Sequence, residues 1–246
     1  MTAPQRAISV APAGRAARLL PLSVLALGAA TPICAAAQVG HPPTTSPFVD
    51  LEWRQGASAF AGWFAAGRDP AGVAPQGGPM VGVRYDVGLG GPAIFTGRIA
   101  SVVSERTVLD PARPAGARVL GTEQRPLTIA DLGISLALTG QKSYRRLVPV
   151  VYGGVGVASN FASADPGGFR FGTRFAIATA AGVRYVPGGR WALRADLGTH
   201  LYQVRYPDIY GAPGLDSTSV LAPGRSTRAW IGNPSLTVGA TYQLFR

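Results

Sequence analysis

From residue 48 to the carboxyl end, apolar residues alternate with polar or small ones. Period two marks strands whose two faces meet different surroundings. The terminal stretch is the most regular: Leu236, Val238, Ala240, Tyr242 and Leu244 oppose Ser235, Thr237, Gly239, Thr241 and Gln243. Before it, Trp191, Leu193, Ala195, Leu197 and Leu201 oppose Arg194, Asp196, Gly198, His200 and Tyr202. From Phe169 to Tyr185, an apolar face of Phe169, Phe171, Phe175, Ile177, Ala181, Val183 and Tyr185 opposes Arg170, Gly172, Arg174, Ala176, Ala178, Ala180, Gly182 and Arg184. Val81 to Leu89 and Leu132 to Leu138 behave the same way. Phe48 to Phe64, Ala93 to Val108 and Leu147 to Ala158 are less regular, and together these stretches predict eight strands.

The connections strengthen this reading. Long and short loops alternate strictly, with short turns at 88–92, 140–143 and 187–190 and long loops at 66–78, 109–125, 159–168 and 207–232. Asp69-Pro70, Asp110-Pro111 and Asp165-Pro166 fall only in the long ones, where turn chemistry is expected. An up-and-down antiparallel sheet with its long loops at one end produces this order.

Which face looks inward decides the class. A soluble barrel hides its apolar face, whereas a membrane barrel turns that face outward. The polar faces combine Gly, Ala, Ser and Thr with single Arg or Asp residues and almost no Lys or Glu. That composition suits a narrow polar interior better than a solvated surface. The expected interior charges are Arg84, Arg98, Arg174, Arg184 and Arg194 with Asp50, Glu52, Asp86, Asp131 and Asp196; the signs nearly balance, and His200 shares their face. Buried charges persist only when paired. Tyr185, Trp191 and Tyr242 fall on the apolar face near the short-turn rim, where an aromatic belt would meet the membrane interface, and Phe169 and Phe171 would mark the opposite rim.

On these features the chain resembles the small bacterial outer-membrane β-barrels of the eight-stranded OmpA/OmpX type, over about residues 48–246. The predicted fold is all-β, an eight-stranded antiparallel up-and-down transmembrane barrel with short periplasmic turns and long extracellular loops. Thr237, Gly239, Tyr242 and Leu244 resemble the terminal signal read by the barrel-assembly machinery, although Phe245 and Arg246 extend beyond it. The resemblance implies residence in the outer membrane, contact with its lipids and with lipopolysaccharide, and escort by periplasmic chaperones.

The amino-terminal region fits export. Arg6, Arg15 and Arg18 precede the apolar run 19–30, and Ala35-Ala36-Ala37 offers a cleavage site, so residues 1–37 read as a secretory signal peptide and 38–47 as a short leader. Thr31-Pro32-Ile33 before Cys34 does not form a lipobox, and cleavage after Ala37 removes the only cysteine. It also lowers the formal charge from +11 to +8. The remaining cations form no Lys/Arg run longer than the pair Arg145-Arg146, which argues against nucleic acid. Charged residues are only 14% against 47% hydrophobic, so disorder is excluded as well.

Candidate chemistry is thin. His200 shares a face with Asp196 and Arg194, a pair able to orient an imidazole, but Gly198-Thr199-His200-Leu201-Tyr202 lacks the serine that a lipid A-modifying barrel enzyme would place two positions on. Gly153-Gly154-Val155-Gly156 precedes no helix and so forms no phosphate cradle. With His41 and His200 the only histidines, no metal or other cofactor is expected. Arg225 and Arg228, beside Asp208 and Asp216 in the longest loop, are candidates for contact with lipopolysaccharide. The expected role is structural or interactive, with a lumen filled by side chains. A lipid-modifying enzyme and a secreted soluble barrel binding an apolar ligand are the alternatives.

Overall fold

The computed structural model describes residues 46–52 and 54–245. The expected signal peptide and most of the leader lie outside the described residues. Eight long strands form a closed ring: β2 (Gln55–Phe64), β3 (Gly78–Gly90), β4 (Ala93–Val102), β7 (Leu127–Ala137), β9 (Leu147–Ser159), β10 (Thr173–Gly188), β11 (Trp191–Arg205) and β12 (Arg228–Phe245). Every neighbouring pair is antiparallel, and β12 pairs with β2 from Ser235↔Phe64 to Phe245↔Gln55, which closes the barrel. Closure removes the unpaired sheet edges that a hydrocarbon environment would not tolerate.

Four short strands lie outside the ring. At the short-turn end β1 (Phe48–Asp50) pairs with β8 (Lys142–Tyr144). At the long-loop end β5 (Glu105–Leu109) and β6 (Val119–Gln124) form a hairpin of their own. Two stretches that alternate as single strands are therefore broken. Phe48 to Phe64 divides because its first residues run along β8 before the chain enters the ring. Ala93 to Val108 divides at Val103 and Ser104, where the Ser104 hydroxyl donates to the Gln76 carbonyl at 2.7 Å and the chain leaves the barrel wall.

The two faces follow the alternation. Leu193, Leu197 and Val238 are exposed outward at 54%, 64% and 58%, whereas Arg194 and Asp196, between them in sequence, are 5% and 4% exposed. This is the inside-out arrangement of a membrane-spanning barrel.

The long loops do not project as solvated tails. They fold back over the barrel mouth into an apolar cap that buries Phe64, Val73, Phe169, Phe171, Tyr202, Tyr210 and Leu221. The alternation places Phe169 and Phe171 on the membrane-facing wall of β10, and the structure corrects this. β10 begins only at Thr173, and both rings turn inward: Phe171 packs edge-on against Tyr202 at 5.4 Å, and Phe169 lies 6.1 Å from both Tyr206 and Tyr210. The mouth above the barrel is wide enough to need filling, and rings this large fill much of it. A smaller apolar cluster of Ala137, Val148 and Val150 sits toward the short-turn end.

Candidate functional site: the charged lumen, the cap and the rims

Inside the ring, three arginines and three aspartates form two linked groups. Asp196 receives Arg84 Nη2 at 2.7 Å and Arg194 Nε at 2.9 Å. Arg194 also faces Asp86 at 3.8 Å, and Asp86 accepts the Thr96 hydroxyl at 2.7 Å, with Ser135 2.9 Å beyond. In the second group Asp131 accepts Arg98 Nε at 2.8 Å and the Tyr152 hydroxyl at 2.5 Å. The Arg98 guanidinium lies over the Tyr152 ring at 4.1 Å. Opposite charges, hydrogen-bonded hydroxyls and an aromatic face together offset the desolvation that would otherwise exclude such groups from a barrel core.

Strand register makes the room. Across the neighbouring strand each of these aspartates faces a glycine: Asp86↔Gly56, Asp131↔Gly156 and Asp196↔Gly182. A Cβ on Gly156 would stand 2.0 Å from the Ala130 carbonyl oxygen and 2.7 Å from the Asp131 Cβ; one on Gly182 would stand 2.3 Å from an Asp196 oxygen. Gly156 and Gly182, which the sequence offers as a generic narrowing of the lumen, are thus spaces beside particular aspartates, whereas a Cβ on Gly56 would meet Thr241 and Gln243.

The remaining interior candidates are placed differently. His200 is buried, but its Nε2 lies 3.6 Å from Asp131 rather than against Asp196, and its Nδ1 is buried without a partner. Phe64 covers it at 6.2 Å. Arg174 is half-buried near the long-loop rim, where it donates to the Arg170 carbonyl and lies over Phe171 at 6.0 Å. Arg184 points inward toward the short-turn mouth, on the wall of the cavity there. Asp50 and Glu52 are not in the lumen. Both are exposed, and Asp50 faces Lys142 at 3.7 Å on the β1–β8 pair. Their alternation is that of the short outer strand and its exit, not of the ring.

The cap carries charge chemistry that the sequence pattern did not show. Arg106 is buried between Asp165, at 2.5 and 3.0 Å, and Glu123, at 3.0 Å. Burial opposes its charge, but the hydrogen bonds to the two carboxylates outweigh burial and raise its pKa. Arg118 donates to the Arg113 and Thr218 carbonyls and to Asp216. Asp216 is held down to about 2 by hydrogen bonds from the Ala115 amide and Thr218. It therefore serves Arg118 and not Arg225 or Arg228, which are both exposed. Asp69 accepts the amides of Ala71, Val73 and Ala74 and the Tyr206 hydroxyl. Burial and this carboxylate push Tyr206 upward, and burial does the same to Tyr210. Of the Asp-Pro signals, Asp69 and Asp165 thus also anchor the cap. Three tyrosines at intervals of four, Tyr202, Tyr206 and Tyr210, were the available clue to it.

At the short-turn rim Trp191 packs on Tyr242 at 5.0 Å as its register partner, and Tyr185 is exposed on the same outer face. Tyr85 joins them, its hydroxyl 2.6 Å from Gln55. Toward the long-loop end Trp63, Phe175 and Trp230 are exposed on the wall and Phe161 on a loop. Thr237 and Gly239 face inward on β12, and Tyr242 and Leu244 are half-buried on its outer side. All four stand on the seam strand that closes the ring.

No protein-family model and no curated protein matches the chain. Among solved structures it is similar to the outer membrane protein OprG from Pseudomonas aeruginosa, at 10% identity over 80% of this chain and 99% of that one, with a TM-score of 0.47. It is similar also to outer membrane protein AlkL, at 13% identity over 84% and 97% with a TM-score of 0.46. A major outer membrane protein from Thermus thermophilus shows 14% identity over 78% and 100%, with a TM-score of 0.43. These are likenesses of fold at low identity. The closed ring, apolar wall and charged interior define the chain itself as an integral β-barrel of the outer-membrane class.

The lumen geometry carries two stability predictions. Asp196→Asn leaves Arg84 and Arg194 sharing a neutral amide, and should lower unfolding free energy in detergent by about 3–5 kcal/mol, measured by denaturant titration. Gly156→Ala should cost about 1–3 kcal/mol by crowding. Gly153→Ala on the same strand has open space within 4 Å and should be close to neutral. Equal effects at the two glycines would contradict the packing described.

Proposed function

We propose that the protein is a closed outer-membrane barrel whose role is structural and interactive at the cell surface, not a diffusion channel. The observation that carries this reading is the double obstruction of the lumen. Arg84, Arg98, Asp131, Asp196 and His200 converge around a void of only about 20 Å³, scarcely one water. Above it the cap fills the mouth with buried rings. Eight strands leave an interior just wide enough for side chains. On this reading the short turns are periplasmic, the cap faces outward, and Thr237, Gly239, Tyr242 and Leu244 serve recognition by the assembly machinery.

The same void weighs against the lipid-modifying alternative. His200 is 5% exposed, and nothing as large as an acyl chain reaches it. The soluble alternative requires the charged face outward, opposite to the burial of Arg194 and Asp196.

Contact with lipopolysaccharide is supported at one sector of the outer rim. Arg228 opens β12 directly opposite Arg205 at the end of β11, with Trp230 and Gln203 as the next outward pair. Like charges placed across a strand pair repel, and anionic phosphate at the membrane interface relieves them. Arg225 lies nearby in sequence on the exposed loop.

Two measurements test these proposals. In planar lipid bilayers the purified barrel should give no large, stable conductance; steady porin-like steps would defeat the closed reading. Lipopolysaccharide binding should weaken with salt in the parent protein, and an Arg205→Gln/Arg228→Gln variant should lose most of that salt-sensitive component. Unchanged binding would remove this sector as the contact.

A further inference from the structure

Below the central void, a second cavity of about 310 Å³ opens at the short-turn end. The charged groups that line it are Glu52 and Arg54, exposed at its rim, and Asp86 and Arg184 deeper in. The acids of the lower lumen are already engaged: Asp196 holds both Arg84 and Arg194, and Asp86 accepts Thr96 and faces Arg194. Among the described residues Arg184 makes no salt bridge of its own, and Asp86, already shared with Thr96 and Arg194, is the acid that attracts it across the cavity. Register sets it opposite Arg194, another cation, with the Val148 backbone on its other side. Its Nε is fully buried without a hydrogen-bond partner, while the rest of its side chain reaches the cavity. Thr241 and Gln243, inward-facing on β12, supply uncharged polar groups to the cavity.

We infer that this cavity is a binding site for a small oxyanion of the phosphate or carboxylate class, held by the Arg184 guanidinium. A cation partly withdrawn from water and set beside another arginine is costly unless an opposite charge joins it. A guanidinium presents the planar fork that matches two oxygens of such an anion. The cavity stands at the lower limit of small-molecule sites, which restricts the ligand to a compact one. Asp86 and Glu52 repel a second negative charge, so the singly charged form is preferred. The inference depends on the barrel's geometry alone and not on its role at the cell surface.

The test uses the full chain folded in detergent, with inorganic phosphate as the probe at about pH 6 and constant ionic strength. Phosphate should raise the thermal midpoint of the folded-to-unfolded gel shift progressively. In Arg184→Gln the apparent affinity should fall about tenfold or more, the loss of a charge-assisted hydrogen bond. Without phosphate this variant should be at least as stable as the parent, because the surplus charge is gone. Arg54→Gln, at the exposed rim, should retain the response. Acetate in place of phosphate distinguishes a carboxylate source from a phosphate source. If Arg184→Gln fails to fold, ³¹P line broadening on the parent protein still reads binding. No phosphate effect on the parent, or an equal effect in parent and Arg184→Gln, would overturn the inference.

Discussion

Asp196 between Arg84 and Arg194 is the contact on which the interior depends. Its two guanidinium partners come from β3 and from β11 itself, so one carboxylate ties opposite walls of the ring across the axis. In an apolar slab no water is available to take over from a missing partner, and the cost of an unpaired charge falls on the whole barrel. The second group, Asp131 with Arg98 and Tyr152, links the adjacent strands β4, β7 and β9 along one side of the ring. The register partners of Asp131 and Asp196 are glycines for the same reason: a side chain at Gly156 or Gly182 would run into the aspartate opposite.

The barrel then divides into three levels. An aromatic and polar rim lies at the short turns, a salt-bridged centre follows, and an apolar cap built from loops closes the far end. The centre and the cap differ in which interaction dominates. The centre is held by ion pairs made strong by low dielectric, while the cap is held by burial of rings such as Phe169, Phe171 and Tyr210, with Arg106 and Arg118 stitching the loops together.

Much of this was legible in the chain. Period-two alternation located the eight ring strands. The Gly, Ala, Ser and Thr between single charges showed which face turns inward. Trp191 with Tyr242 announced a rim. The misreadings share one cause: alternation reports which side a residue takes, not which sheet it belongs to. Asp50 and Glu52 alternate correctly, but on a strand outside the ring. Phe169 and Phe171 keep the parity of β10, but the chain there has already left the wall and folded over the mouth.

What the sequence determined by itself was therefore the period, the strand count and the inversion of faces, because these depend on neighbours one and two residues apart. Only the tertiary structure decided the pairings: His200 beside Asp131 instead of Asp196, Asp216 beside Arg118 instead of Arg225, and Arg184 opposite a second arginine on the wall of a cavity. Those choices depend on strand stagger and loop folding, which bring together residues tens of positions apart and leave no local trace in the order of amino acids.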